Sequence, residues 1–489
     1  MSGSSWITPL PFPILTATAT REAGATIVHV REDRPGGDST QIQLGSDGSI
    51  ALRAGTGGTA PLYLAADGTG LVGSWDPVDL EPFAHADALS PMVVARLLTR
   101  RHRYSSDTLF ATITRLTAGT VINWTRAAGL SVRYPYPVAH VVRPRRLRPG
   151  GDPVSHLGAL LDRPIAETCE RHRGAVAVEV SGGLDSANVA LTVALRADGR
   201  VLSGGLIVGG RTGRARIERR REIVEHLGLR DVTIAAADHL PLAPGGPRSP
   251  QRPHYADGDV YQEAFDMLRT AMYAAGGRVV FTGFGGDEIM GLAPDERQSD
   301  TRPPHTPSWL DSRARDALTD VDAACSPVTA VALPTLVVFA ARNPTYLRAG
   351  LWPIAPFASP ELSRFGRSLP IEWRTGKDLL RQRLARVGLR RTVTHPMRPE
   401  SFAATMRVAL GRHAPALLAD MLDDSVLIAS GFVRRAAVET LHRQANDGHA
   451  LPPLLYDMLA LDIGVRSMTT MSPVAAEGNL LCAPSMPNR

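Results

Sequence analysis

The string Ser181–Gly182–Gly183–Leu184–Asp185–Ser186 lies between an apolar run (Ala175–Val180) and an amphipathic one. Two adjacent glycines let a backbone curl closely around a ligand and aim N–H groups at anionic oxygens. A helix beginning there adds its positive end, which favours phosphate or pyrophosphate. Ser181 and Ser186 can donate hydroxyls, whereas a carboxylate at Asp185 attracts phosphate only across a bridging divalent cation, Mg²⁺ by its hard-oxygen chemistry. The competing reading is a tight turn whose serine caps a helix. A second Gly-rich string, Thr282–Gly283–Phe284–Gly285–Gly286–Asp287–Glu288, follows a short apolar run about a hundred residues later. Asp287 offers a second hard oxygen ligand, so Asp185 and Asp287 can share one Mg²⁺, with Glu288 in support; the plainer alternative is an acidic helix cap.

A third segment, Arg374-Thr-Gly-Lys377-Asp-Leu-Leu-Arg381, is read as helical. The i, i+3, i+7 spacing then predicts Arg374, Lys377 and Arg381 on one face, which in most proteins is a solvated stripe. Composition adds weight to it: of 54 basic residues only Lys377 is lysine. A bias toward arginine is what a GC-rich coding sequence produces. A lone ammonium against that background suits a task needing a compact point charge, although chance also leaves one lysine.

These segments need elements to position them. Residues 1–140 read as a β-rich unit with short strands at Thr26–Val30, Gln41–Leu44, Pro61–Leu64 and Gly119–Trp124. A helix is predicted over Ser90–Arg103, with Ser90 as its cap. Residues 141–153, rich in Pro, Arg and Gly, read as a linker. Residues 154–489 form the second unit, opening with a helix to Arg171. Strand Ala175–Val180, a turn over Ser181–Ser186 and helix Ala187–Arg196 follow. Then come strand Leu202–Val208, a helix to Leu227, strand Asp231–Ala235, helix Gln262–Ala275 and strand Arg278–Thr282. Alternation of this kind predicts an α/β fold with a doubly wound parallel sheet, whose ligands sit at the carboxyl ends of the strands. Both Gly-rich strings fall at strand ends.

Composition excludes several classes. At 44% apolar and 21% charged the 489-residue chain is ordinary for a globular protein. Its most apolar run, Val331–Ala341, is too short to span a bilayer and predicts a buried helix. Without a basic leader at its N-terminus, the expected location is the cytoplasm. Cys169, Cys325 and Cys482 have no metal or disulfide spacing. The basic run Arg211–Arg221 is mixed with apolar residues and reads as a solvated helix face, so no nucleic acid is expected as a partner.

Taken together, these strings resemble the asparagine synthetase superfamily. SGGLDS is similar to the pyrophosphate-binding loop of the N-type ATP pyrophosphatases, which cleave ATP between the α and β phosphates, and differs from the GxxxxGK[ST] loop. Asparagine and β-lactam synthetases carry a catalytic lysine in a K-x-x-L-R-like segment after a P-F segment and an L-P pair. Here Pro356–Phe357, Leu369–Pro370 and Lys377–Arg381 stand in that order. The resemblance implies ATP and Mg²⁺ as cofactors and Lys377 as a catalytic residue. It assigns Ser181, Gly182, Gly183, Leu184, Asp185, Ser186, Gly283, Gly286, Asp287, Arg374 and Arg381 to the nucleotide, with Asp185 and Asp287 on the metal.

Leu71–Pro77 (LVGSWDP) and Thr108–Trp124 resemble late strands of a glutamine amidotransferase domain, an α+β sandwich of the N-terminal-nucleophile type. Its nucleophilic cysteine is lacking: Ser2 follows Met1, and the first cysteine is Cys169. The implied amine donor is then the substrate itself. Phe284 stands where β-lactam synthetases have a proton-moving Tyr and asparagine synthetases a Glu. With the GSWDP and GGDE forms, it makes the chain look most like a lasso peptide cyclase, which closes a macrolactam. That resemblance implies a core peptide as substrate, with a leader peptidase and a leader-binding protein as pathway partners. A β-lactam-synthetase-like or other amide ligase, a non-catalytic nucleotide binder and a tRNA sulfurtransferase are the alternative classes. The last would need paired cysteines or a basic appendage.

Overall fold

A computed structural model describes residues 7, 11–22, 24–34, 36–67, 69–138, 146–209, 213–291, 306–396 and 402–469. The predicted parallel sheet is present. It has five strands: β10 (Val176–Glu179), β11 (Leu202–Ile207), β12 (Arg230–Ala235), β13 (Val279–Phe281) and β14 (Trp352–Ile354). Their order is β12-β11-β10-β13-β14, every pair parallel. The chain runs outward from β10 to β12, then returns to lay β13 on the other side of β10. Strand order reverses between β10 and β13, where a doubly wound sheet opens its ligand crevice. Both Gly-rich strings leave the sheet there.

Period-two alternation on β10 explains why it is central. Val176 and Val178 pack on one face against helices Pro153–Arg171 and Leu184–Arg196, through Leu157, Leu161, Ile165 and Leu191. Ala177 faces the other side, against Leu268 and Met272 of helix Gln262–Ala274. Both faces are covered, as a parallel sheet requires. Each fully buried large apolar side chain contributes about 1.5–3 kcal/mol.

Among the described residues the N-terminal part has nine strands. A six-stranded antiparallel sheet joins β1 (Leu15–Glu22), β2 (Ala25–Glu32), β3 (Ser39–Gly45), β4 (Ile50–Ala54), β8 (Val121–Thr125) and β9 (Gly129–Arg133), in that order. A three-stranded sheet has the order β6-β5-β7, from β5 (Leu62–Ala66), β6 (Leu71–Ser74) and β7 (Ile113–Leu116). Leu52 and Ile122 from the first meet Leu64 and Leu116 from the second in one buried cluster.

Several local expectations are corrected. The helix after Ser90 covers Pro91–Leu98 and stops before Arg103. Ser90 does cap it, its Oγ accepting from Val93 N, but Arg100 at φ +53° turns the chain out of helix. Within 141–153, residues 141–145 lie outside the described residues, and Asp152 already caps the helix starting at Pro153. From Leu333 on, the run Val331–Ala341 lies in helix Leu333–Arg348, with Pro334 in its first turn, where the missing N–H costs nothing.

The N-terminal part is bound to the parallel-sheet part by a shared core. Tyr63, Leu80, Val94 and Leu98 pack with Leu418, Met421, Leu459 and Ile463 of the C-terminal helices Ala403–Asp423 and Leu455–Thr469. Asp76 of the GSWDP string caps its own turn and pairs with Arg348, while Glu32 accepts from Trp352 Nε1 at 3.0 Å. Among the described residues no helix is long and apolar enough to cross a membrane.

Candidate active site

The helix after β10 begins at Leu184, three residues earlier than the sequence implied, so Asp185 and Ser186 sit in its first turn. Gly182 takes φ +91°, a left-handed conformation that favours glycine. The loop is held by its own serines: Ser181 Oγ accepts from Gly183 N at 3.1 Å, and Ser186 Oγ accepts from Ser181 N at 3.2 Å. Gly283 and Gly286 are glycine for a different reason. A Cβ on Gly283 would lie 2.8 Å from Ser186 N, and one on Gly286 2.5 Å from Asp185 Oδ1. The two loops therefore press backbone to backbone, and Gly285, at φ +92°, turns the second one into a short helix carrying Asp287 and Glu288.

Lys377 reaches into this junction. Its Nζ lies 2.5 Å from Asp185 Oδ2 and 2.6 Å from Asp287 Oδ1. The side chains of Lys377 and Asp185 are 24% and 19% exposed, that of Asp287 79%. Burial opposes the lysine's charge, but two carboxylates outweigh it and its pKa is raised. Burial pushes Asp185 up to about 6 despite Lys377, helped by the nearby Asp287 and Glu288 charges. Glu288 is itself raised by burial.

The single helix expected over Arg374–Arg381 does not form. A short helix ends at Arg374, Gly376 and Lys377 both turn left-handed at φ +61° and +62°, and a new helix runs Asp378–Arg386. A non-glycine residue in that region costs about 1–2 kcal/mol, a strain typical of functional positions. The turn separates Lys377 from the two arginines. Arg374, buried, donates to the carbonyls of Leu369 and Gly291; Arg381 donates to those of Gly376 and Thr394. Both brace the lysine turn from either side.

Three residues read as a solvated face belong instead to the site. In helix Gly213–His226, Arg216, Arg219 and Arg220 are buried. Their Nε atoms donate to the carbonyls of Ser181, Gly182 and Val180, at 3.4, 2.7 and 2.7 Å. Arg220 also grips Asp231 with both Nη atoms. The i, i+3, i+4 spacing was the available signal, but the acceptors are backbone atoms that no motif displays.

Two carboxylates facing one cation form a donor set suited to Mg²⁺, which binds one or two carboxylates and completes its shell with water and phosphate oxygens. Asp185 Oδ1 is buried with no hydrogen-bond partner, an oxygen awaiting a ligand. The residues fit the ion. Among the described residues no group of three or more His, Cys, Asp or Glu could hold a metal ion. Cys169 is buried, its thiol raised to about 12 by burial, and Cys482 lies outside the described residues.

Residues 156–348 match the family model of asparagine synthase. That stretch contains both Gly-rich loops and ends before Lys377. No curated protein matches the chain. An asparagine synthase domain marks an ATP-dependent, amide-forming carbon–nitrogen ligase, and the family uses ATP, typically with Mg²⁺.

Proposed function

We propose that this protein closes a macrolactam on a peptide. It adenylates an Asp or Glu side chain of the substrate, and the peptide's N-terminal amine displaces AMP to form an isopeptide bond. The adenylation half rests on one observation, the Lys377 ammonium held between Asp185 and Asp287 at the reversal of strand order. The loop Ser181–Ser186 offers backbone N–H groups and a helix N-terminus to the pyrophosphate. Asp185 and Asp287 would hold Mg²⁺, which when bound neutralises phosphate charge. Lys377 stabilises negative charge as the substrate carboxylate attacks the α-phosphate, and again as the carbonyl becomes an oxyanion.

The choice of amine rests on what the chain lacks. The first 168 residues contain no cysteine. The buried Cys169 holds its proton, so neither offers a thiolate to release ammonia from glutamine. Phe284, packed beside Phe339 and Arg342, cannot move a proton in the way the residues at its place do in β-lactam and asparagine synthetases.

The test is to incubate the purified protein with ATP, Mg²⁺ and a peptide bearing a free N-terminus and an internal Asp or Glu. Nucleotides are separated by chromatography, and the peptide is weighed by mass spectrometry. The expected products are AMP, pyrophosphate and a peptide lighter by one water, without added glutamine. Asp185→Asn and Asp287→Asn should each abolish them. ADP as the main nucleotide, or glutamate release tracking the product, would overturn the proposal.

A further inference from the structure

Forming an amide requires the amine to lose a proton, and no residue described so far takes it. Glu179 is the last residue of β10, two before Ser181, at the carboxyl edge where the crevice opens. Its Oε1 accepts from Tyr346 Oη at 2.5 Å, and among the described residues Oε2 has no hydrogen-bond partner. Tyr346 is fully buried and stacked by Arg269 at 4.3 Å. Arg269 is in turn fixed by Asp259 and Asp266, at 3.4 and 3.1 Å. Arg342 pairs with Asp259 at 3.3 Å and lies 5.4 Å from the Phe284 ring centroid, tying this group to the second Gly-rich loop. The carboxylate is thus oriented by a buried, rigid set of neighbours, with one oxygen engaged and one available.

We infer that Glu179 is the general base of the amide-forming step, held in place by Tyr346. The amine lone pair attacks the acyl-adenylate carbonyl carbon and the C–N bond forms. The N–H proton passes to Glu179 Oε2, and the bond between carbonyl carbon and phosphate oxygen breaks, releasing AMP. Burial raises the Glu179 pKa, which suits proton acceptance from an amine. The Arg269 charge, the Tyr346 hydrogen bond and the Arg342 charge pull it down, and the Asp259 charge pushes it up. Tyr346 is raised well above its ordinary range, first by burial and then by the Glu179 charge, so it keeps its proton and acts as donor.

This inference rests on the adenylation reading above, and its test separates the two. ATP–pyrophosphate exchange driven by the same peptide reports adenylation alone, while cyclic product reports the whole reaction. Glu179→Gln should retain exchange within about threefold but slow amide formation roughly 10²–10⁴-fold. Hydroxylamine, which is neutral at pH 7 and a strong nucleophile, should still trap the acyl-adenylate as hydroxamate in that variant. The acid limb of the amide-formation rate, where protonation of Glu179 removes the base, should vanish in Glu179→Gln. It should move to higher pH in Tyr346→Phe, which loses a hydrogen bond to the charged form. An equal fall in exchange and amide formation, or unchanged amide formation, would overturn the assignment. Absence of exchange in the unmodified protein would refute adenylation itself, and this inference with it.

Discussion

Replacing Lys377 by arginine keeps a positive charge in a chain otherwise built almost wholly with arginine. The geometry nevertheless argues that the charge alone is not enough. The ammonium sits 2.5 and 2.6 Å from oxygens of two carboxylates, which fixes a compact charge at the two groups that would hold the metal. At about 4 Å from a developing negative charge, with an effective dielectric of about 20, such a charge is worth about 4 kcal/mol. That equals roughly a thousandfold in rate at about 1.4 kcal/mol per tenfold. Removing one preorganised donor from a comparable site costs roughly 10²–10³-fold, so the two routes agree. Lys377→Ala should therefore lower peptide-dependent ATP–pyrophosphate exchange by roughly 10²–10³. ATP affinity should barely change, since the backbone of Ser181–Ser186 carries it. Lys377→Arg should fail almost as badly, because a planar fork cannot occupy the point an ammonium fills. The assays are exchange, nucleotide binding by calorimetry and thermal melting for integrity. Near-normal exchange in Lys377→Arg would refute the reasoning and make the lone lysine an accident of composition.

Gly376→Ala meets no steric obstacle, since nothing lies within 4 Å of the added Cβ, but φ is +61° there. The expected stability loss is about 1 kcal/mol in denaturant melts, with a larger proportional loss of exchange because the lysine turn shifts. Arg220→Met leaves Asp231 with the Ser203 hydroxyl but no counter-charge, and Val180 O without its Arg220 donor; the pair is 4% and 25% exposed. A loss of roughly 3 kcal/mol is expected, toward the lower end for breaking a buried pair. An undiminished melting temperature would show that the arginines do not brace the loop. His254 is buried and held neutral, its pKa lowered to about 4 by burial and then by Arg248. A histidine with a depressed folded pKa gives up stability as pH falls from its unfolded value near 6.5 toward 4. Across that window the unmodified protein should lose roughly 3 kcal/mol relative to His254→Leu, as read from paired denaturant melts. A stability difference flat with pH would contradict it.

What the sequence determined alone is local. Gly182, Gly183, Asp185, Gly286 and Asp287 were legible because glycine and carboxylate chemistry is written in consecutive residues. The strand–helix alternation around them announced a parallel sheet with ligands at its carboxyl edge. Lys377 stood out because composition isolated it. Tertiary structure decided everything that depends on a partner distant in sequence. Helical spacing put Arg374, Lys377 and Arg381 on one face; two left-handed residues broke that face, since the ammonium must reach two carboxylates about 90 and 190 residues away. Arg216, Arg219 and Arg220 looked like a solvated stripe because their partners are carbonyls of Ser181, Gly182 and Val180, atoms that every residue has. Glu179, inside the strand read over Ala175–Val180, carries no signal of its own until folding places Tyr346, 167 residues on, against its carboxylate. Patterns of side-chain type encode which backbone a segment can adopt. Which charges meet depends on where whole elements pack, and no short string carries that information.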